Sequence, residues 1–208
     1  MIYNDEFIWL HFPKCAGSKI ETLFKKYFSD IESLHQDIFT LEDDPTISWH
    51  DSISQREERD VNFSLNDRTI ICPFRRLPSW LESRYSFEYN RSPNLAHDPN
   101  SILKGMFLEQ NGRVNNADYY AKKYLPLSIL DSAKIRFIRT EFFELDFKSV
   151  FGDYLDLSEI PEIEYQQRVN SSKKNIPDSV ITQLYTQKET LYNNCPYWQM
   201  IEKMAYKN

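Results

Sequence analysis

The sequence predicts an α/β fold in which a small parallel sheet is flanked by helices. Three short apolar runs, at residues 7–12, 69–72 and 135–138, are each followed by a segment of helical periodicity. Such runs are typical of strands that are buried on both faces. Parallel neighbours need a crossover, usually a helix, so three strand–helix units in succession favour one parallel sheet. With 208 residues, 41% of them hydrophobic, the chain is predicted to form a single domain over residues 1–208.

The three units differ in how clearly their helices are marked. The first strand ends at Pro13, and after Gly17 the apolar residues recur with the spacing of one helix face: Ile20, Leu23, Phe24, Tyr27 and Phe28. The second helix tolerates Pro78 in its first turn and is marked by Leu77, Trp80, Leu81 and Tyr85. The third helix is predicted over residues 141–151.

The segments between these units are predicted to be connections and added helices. Residues 41–66 are a long polar connection with a short helix around residues 55–60, and long connections often carry function. Residues 91–117 are rich in loop-forming residues and contain one short helix. Residues 118–130 are predicted to be helical with a break near Pro126, and a helical tail follows after residue 175.

Charge and cysteine content exclude several classes of protein. The net charge of -6 gives no general attraction to nucleic acid, so no nucleic-acid partner is expected and any anion site must be local. The three cysteines lack CxxC spacing, which argues against a disulfide framework or a zinc site. The acidic N-terminal residues are unlike a signal peptide, and the apolar runs are too short to span a membrane. We therefore expect a cytoplasmic protein.

The stretch HFPKCAGSKI at residues 11–20 is the strongest candidate for a binding site. A helix that starts just after a buried strand directs unpaired backbone N–H groups and a positive dipole end at the strand terminus, where an anion fits. Gly17 permits close approach, Ser18 adds a hydroxyl and Lys14 adds a charge. A capped helix beside solvated lysines explains the same residues without a ligand. The phosphate-loop spacing GxxxxGK[ST] fails, because Phe12 stands where the first glycine belongs and Ile20 follows Lys19.

PKCAGSK resembles the PKTAGTS signature of sulfotransferases that use 3′-phosphoadenosine-5′-phosphosulfate (PAPS), whose fold is similar to that of P-loop nucleotide kinases. The resemblance implies that this segment binds the donor's 5′-phosphosulfate. The implied residues are Lys14, Cys15, Ala16, Gly17, Ser18 and Lys19. Cys15 stands where the family has threonine, and Lys19 where it has serine or threonine, so the hydroxyl contacts of those two positions are missing.

A second signature of that family, RxPxxxxxSxY, resembles the segment CPFRRLPSWLESRY. Arg75 precedes Ser83 by eight residues, as in the family, whereas Pro78 is one position late, which leaves Arg76 as a competing candidate. An arginine at a strand end can bind a phosphate with two hydrogen bonds. The resemblance implies that Arg75 and Ser83 hold the donor's 3′-phosphate.

Two further segments match the family loosely. FIRTEFFELDF resembles its strand and R-x-E turn near the adenine, and VNSSKK, with Lys173, resembles its basic loop over the donor. The implied activity is transfer of a sulfuryl group from PAPS to a hydroxyl or amine of a carbohydrate or small molecule, without a metal. The alternatives are an ATP-dependent phosphotransferase and a nucleotide-binding module without catalysis. The sequence leaves the acceptor and the oligomeric state open.

Two side chains have assigned roles in the transfer. Lys14 is expected to stabilise the leaving oxygen, because it lies at the helix N-terminus where that charge develops. His50 lies between the two donor signatures, where related enzymes often carry the catalytic base, and histidine accepts protons near neutral pH. Asp51 or another carboxylate would orient it. Glu21 is the alternative base, although a glutamate on a helix is more often solvated, and His11 is expected to be a core residue.

Overall fold

A computed structural model describes residues 1–37, 50–167 and 175–207 of the chain. The strands are β1 (Ile2–Tyr3), β2 (Phe7–Trp9), β3 (His35–Gln36), β4 (Thr69–Phe74), β5 (Met106–Leu108), β6 (Val114–Asn116) and β7 (Ile135–Arg139). The α-helices are α1 (Gly17–Tyr27), α2 (Ile53–Arg59), α3 (Leu77–Arg91), α4 (Ala117–Tyr124), α5 (Leu127–Ser132), α6 (Phe143–Phe151), α7 (Glu162–Gln166), α8 (Asp178–Thr186), α9 (Lys188–Asn194) and α10 (Pro196–Ala205). Short 3₁₀ helices cover Pro99–Lys104 and Thr140–Phe142.

The chain divides into two compact units. The sheet unit contains the described residues within 1–74 and 124–169, and the helical unit contains those within 75–123 and 170–208. The sequence predicts one domain over residues 1–208, and that count stays a prediction.

The sheet unit is built on a five-stranded mixed sheet of order β3-β1-β2-β4-β7. The three predicted strands β2, β4 and β7 are parallel neighbours, with Phe7 opposite Thr69 and Ile70 opposite Ile135. The prediction of an entirely parallel sheet is wrong, because β1 pairs antiparallel with both β2 and β3. These two strands have two residues each, too few to show an alternating pattern in the sequence.

Helices α1 and α6 supply most of the aromatic core of the sheet unit. The helix face predicted for α1 is buried, and Phe24 of α1 contacts Phe151 of α6 with ring centroids 5.0 Å apart. Phe147 packs 4.7 Å from Phe151, and both belong to the same cluster as Trp9 and Phe7 of β2. Burying one such side chain is worth about 1.5–3 kcal/mol, so this cluster holds α1 firmly against β2.

The helical unit packs around Trp80 of α3. The Trp80 ring lies 4.5 Å from that of Trp198 in α10, and Phe107 of the antiparallel hairpin β5–β6 makes an edge contact with it. The sequence did not predict this three-residue hairpin. Close by, Arg84 of α3 is buried and binds Glu88 at 2.6 Å and the hydroxyl of Tyr120 at 2.8 Å. The predicted helical tail is present as α8, α9 and α10.

Each of the three parallel strands ends at the same edge of the sheet. Residues 10–16 follow β2 there, Arg75 follows β4, and the 3₁₀ helix Thr140–Phe142 follows β7. In open α/β sheets, ligands bind outside the carboxyl ends of parallel strands. The predicted binding segments therefore begin at the edge of the sheet where a ligand is expected.

Candidate functional site

The loop between β2 and α1 has an unusual backbone. Lys14 and Ala16 have φ angles of 63° and 64°, in the left-handed region that few residues other than glycine adopt. Asn66 is the other non-glycine residue of positive φ among residues 1–37, 50–167 and 175–207. Left-handed residues cost about 1–2 kcal/mol each, so the packing around this loop must hold it in place. Such strain is concentrated at functional sites.

Helix α1 begins at the end of this loop with an open N-terminus. Ala16 is its N-cap and makes no side-chain capping bond, while the Ala16 carbonyl accepts from the N–H groups of Lys19 and Ile20. The helix has 11 residues and no acidic residue in its first turn. An N-terminus of this kind presents backbone N–H donors and the positive end of the helix dipole. It therefore suits an anion, as the sequence predicts.

The predicted side chains of this loop are not equivalent. Lys14, Ala16 and Ser18 are partly exposed, whereas the Cys15 side chain is fully buried, which leaves only its backbone to meet a ligand. Lys19 is in the first turn of α1, but its ammonium group donates to the Tyr165 carbonyl and lies 4.4 Å from the centre of the Phe143 ring. Burial lowers the pKa of Lys19.

His11 is the residue against which the loop is packed. Its side chain is 4% exposed, and a Cβ added to Gly17 would lie 1.9 Å from Nε2 of the ring. The sequence assigns Gly17 to the close approach of a ligand. The structure gives a different reason for the glycine, because the His11 ring occupies the space that a side chain would need.

Glu21 is the hydrogen-bonding partner of His11. Its Oε1 lies 2.8 Å from His11 Nδ1, and its side chain is buried, so the expectation of a solvated helix glutamate is wrong. Burial raises the pKa of Glu21 to about 7, and burial lowers the pKa of His11 well below its usual value. Near neutral pH His11 is therefore neutral, and Glu21 titrates between its protonated and ionised forms.

His50, the predicted base, lies against this pair. Its ring centroid is 4.3 Å from that of His11, and its Nδ1 is 3.1 Å from the His11 carbonyl oxygen. A carbonyl oxygen only accepts, so Nδ1 carries a hydrogen and Nε2 holds the lone pair of the neutral ring. The Tyr124 hydroxyl donates to the His50 carbonyl at 2.9 Å, which fixes the backbone of this residue. Asp51, predicted as a group that orients His50, is instead bound by Arg59 of α2.

The second predicted segment follows β4. Arg75 is partly buried, and its Nε donates to Ser79 Oγ at 3.0 Å. Arg76 is exposed and pairs with Glu202 at 3.4 Å, which favours Arg75 as the residue with donors to spare. Ser83 is partly buried on α3, eight residues after Arg75. Both candidates therefore stay as predictions, with Arg75 ahead of Arg76.

The third segment borders a cavity of about 600 Å³ in the sheet unit. Its lining includes the aromatic rings of Phe142, Phe143 and Tyr165 together with Lys19 and Lys148. Arg139 at the end of β7 is not available to this cavity as a free cation, because it binds Asp146 through two nitrogens at 2.7 Å each. The R-x-E turn of the sequence thus uses its arginine to fix the start of α6.

Other expectations concern residues and groups beyond this site. Lys173 lies outside the described residues. Among the residues that the structure describes, no helix is long and apolar enough to cross a membrane, and no cluster of three or more His, Cys, Asp or Glu side chains is arranged to hold a metal ion. The three cysteines, all among the described residues, are buried thiols.

Sequence reasoning named every residue of the His11–Glu21–His50 cluster but did not bring them together. A signal was present in the spacing, because Gly17, Glu21, Phe24 and Phe28 follow one another at helical intervals on one face of α1. A glutamate on the apolar face of a helix needs a buried partner. His11, in the apolar run just before the loop that leads into α1, was the nearest candidate in the sequence.

Comparisons with known proteins identified no relative of this chain. No protein-family model, no curated protein and no solved structure matches the chain.

Proposed function

We propose that the protein is a sulfotransferase that moves a sulfuryl group from 3′-phosphoadenosine-5′-phosphosulfate to a hydroxyl or amine of a carbohydrate or small molecule. One observation carries the proposal: the open N-terminus of α1, preceded by Lys14 on a left-handed loop, adjoins a histidine pair that includes a base candidate. Anion binding and proton removal are the two demands of sulfuryl transfer, and these residues meet both.

The family resemblance assigns three groups of the donor to three segments of the chain. The N–H groups at the start of α1 and the ammonium group of Lys14 would bind the 5′-phosphosulfate. Arg75 and Ser83, which follow β4, would bind the 3′-phosphate. The cavity beside the turn after β7 has an aromatic lining suited to the adenine ring, in keeping with the resemblance of that turn to the family's adenine segment. A P-loop nucleotide-kinase-like sulfotransferase fold is part of the proposal.

The transfer itself would use His50 and Lys14. His50 Nε2 takes the proton from the O–H or N–H bond of the acceptor. The electron pair that this bond leaves on the acceptor atom forms the new bond to sulfur. The bond from sulfur to the bridging oxygen breaks, and its electrons leave on the 5′-phosphate of 3′-phosphoadenosine-5′-phosphate (PAP). Lys14 and the dipole of α1 stabilise the negative charge that develops there. No step of this transfer calls for a metal ion.

Ligand-dependent stability tests the donor assignment. The melting temperature would be measured with PAP, ADP and ATP, all at the same concentration. A ligand at a hundred times its dissociation constant stabilises the fold by about 2.7 kcal/mol. For a chain of this size that corresponds to roughly 5–10 °C. We expect this rise with PAP and a smaller rise with ADP.

The outcomes separate the proposal from its rivals. A larger rise with ATP than with PAP would favour a phosphotransferase, and no rise with PAP would refute a PAPS site. If PAP binds, radiolabelled PAPS would be tested against a panel of carbohydrate, phenol and amine acceptors. Binding with no transfer to any class of acceptor would favour a nucleotide-binding module.

A further inference from the structure

The His50 ring is held by groups that come from distant parts of the chain. His11 lies 39 residues earlier, yet its carbonyl oxygen accepts from His50 Nδ1, and its ring packs against the His50 ring at an interplanar angle of 50°. Tyr124, 74 residues later, binds the carbonyl of His50. These contacts fix both the backbone and the ring of the residue, which a surface loop histidine would not need.

His11 connects His50 to the loop and to a carboxyl group. Its ring touches His50 on one side and Gly17 on another, and its Nδ1 faces Glu21 at 2.8 Å. Glu21 is on α1, one turn after Gly17. A movement of the His11 ring therefore disturbs the other three residues, because His11 and Glu21 are buried and closely packed.

Charge also couples Glu21 to His50. A protonated His50 favours ionised Glu21 and lowers the pKa of that carboxyl group. Linkage is reciprocal, so an ionised Glu21 must raise the pKa of His50 by the same free energy. Other charges face the cluster: the Met1 amino group, Asp51, and the guanidinium groups of Arg56 and Arg59, which interact with Asp51.

We infer that His11 and Glu21 are positioning residues: the His11 carbonyl holds His50 in the tautomer with hydrogen on Nδ1, and Glu21, bound to the His11 ring, compensates the positive charge that His50 gains when Nε2 takes a proton. Glu21 does not touch the acceptor in this arrangement. The part of the inference in which His50 takes a proton from the acceptor rests on the proposed function. The tautomer of His50 and its charge coupling to Glu21 do not depend on that function.

Histidine-selective ¹⁵N NMR between pH 5 and 9 tests the inference without donor or acceptor. In the unmodified protein, His50 should show hydrogen on Nδ1. In Glu21→Gln, which preserves the shape of the side chain, the pKa of His50 should fall by about 0.5–1 pH unit, since a nearby negative charge favours the protonated ring.

Two further variants show whether a change in the His50 pKa comes from Glu21 itself or from the loss of any carboxylate on or near α1. Glu21→Asp keeps the carboxylate and should restore most of the His50 pKa. Glu164→Gln removes a carboxylate that pairs with Lys26 near the other end of α1, and it should leave the His50 pKa unchanged. If Glu21→Gln does not fold, the Glu21→Asp variant and the tautomer of His50 in the unmodified protein still decide the question.

Three results would overturn the inference. They are hydrogen on Nε2 of His50, an unchanged pKa of His50 in Glu21→Gln, or an equal shift in Glu164→Gln. Because the spectra require no sulfuryl transfer, a failure of the proposed function would leave the NMR result intact. Transfer activity together with an unshifted His50 would refute the positioning role alone.

Discussion

Replacing Gly17 with alanine tests whether the His11 ring shapes the anion-binding loop. The new Cβ would lie 1.9 Å from Nε2, 2.2 Å from Cδ2 and 2.8 Å from Cε1 of His11, far inside contact distance. His11 is buried and bound to Glu21, so its ring can move only by breaking that bond. Overpacking costs about 1–3 kcal/mol. A lost buried hydrogen bond adds about 1–3 kcal/mol.

The expected loss of stability follows from these terms. Alanine favours helix over glycine by up to about 1 kcal/mol, which offsets part of the cost. We therefore expect Gly17→Ala to lower the free energy of unfolding by about 2–4 kcal/mol, measured by urea denaturation. Weaker PAP binding should accompany the loss, because the displaced ring no longer supports the loop.

A double-mutant cycle with His11→Ala shows whether the ring is the cause. Without the ring, Gly17→Ala should cost at most about 0.5 kcal/mol, so the two changes should be strongly coupled. Gly112→Ala is the control: Gly112 has a φ of 79° and no neighbour within 4 Å of an added Cβ. Its cost should be about 1–2 kcal/mol from backbone strain and independent of His11. A cost of Gly17→Ala that persists in the His11→Ala background would refute the reasoning.

Four other predictions concern ligand binding, catalysis and pH. Lys14→Ala should weaken PAPS binding by roughly 1.5–3 kcal/mol in calorimetry and also slow transfer, and unchanged affinity would remove Lys14 from the donor site. His50→Ala should slow transfer by about a hundred- to ten-thousand-fold with donor affinity intact, and a normal rate would exclude it as the base. Arg75→Ala should weaken PAP by roughly 1.5–3 kcal/mol while ADP is little affected, whereas a selective effect seen only in Arg76→Ala would move the assignment by one residue. Burial raises the pKa of Glu21 from 4.5 to about 7, so its contribution to stability is present below pH 4.5 and is lost as pH rises through 7. Between those values the unmodified protein should lose about 3 kcal/mol that Glu21→Gln does not lose, and parallel stability curves would contradict the shift.

The sequence by itself determined the strand–helix units of this protein. The strands β2, β4 and β7 and the helices α1, α3 and α6 are where apolar runs and helical periodicity predict them. Their order along the chain also determined that the three strands are parallel. Local patterns suffice here because a buried strand and an amphipathic helix each show their burial in consecutive residues.

The short strands were not predicted, because two or three residues are too few to show a hydrophobic pattern. Strands β1 and β3 have two residues each; β1 pairs antiparallel with the edge of β2, and β3 pairs antiparallel with β1. The hairpin β5–β6 is likewise formed from three-residue strands. Such strands are selected by their neighbours in space rather than by intrinsic preference.

The chemistry of the candidate site was decided by tertiary structure. The spacing PKCAGSK predicts an open helix N-terminus after a strand, and the structure has one. The sequence pattern could not show that His11 fills the space over Gly17 or that Glu21 is buried. Nor could it show that the His50 ring lies 4.3 Å from the His11 ring. Burial sets the pKa values of His11 and Glu21, and the cluster is packed by residues up to 74 positions apart. No local pattern encodes such packing, so only the fold could convert two histidines and a glutamate into one coupled cluster.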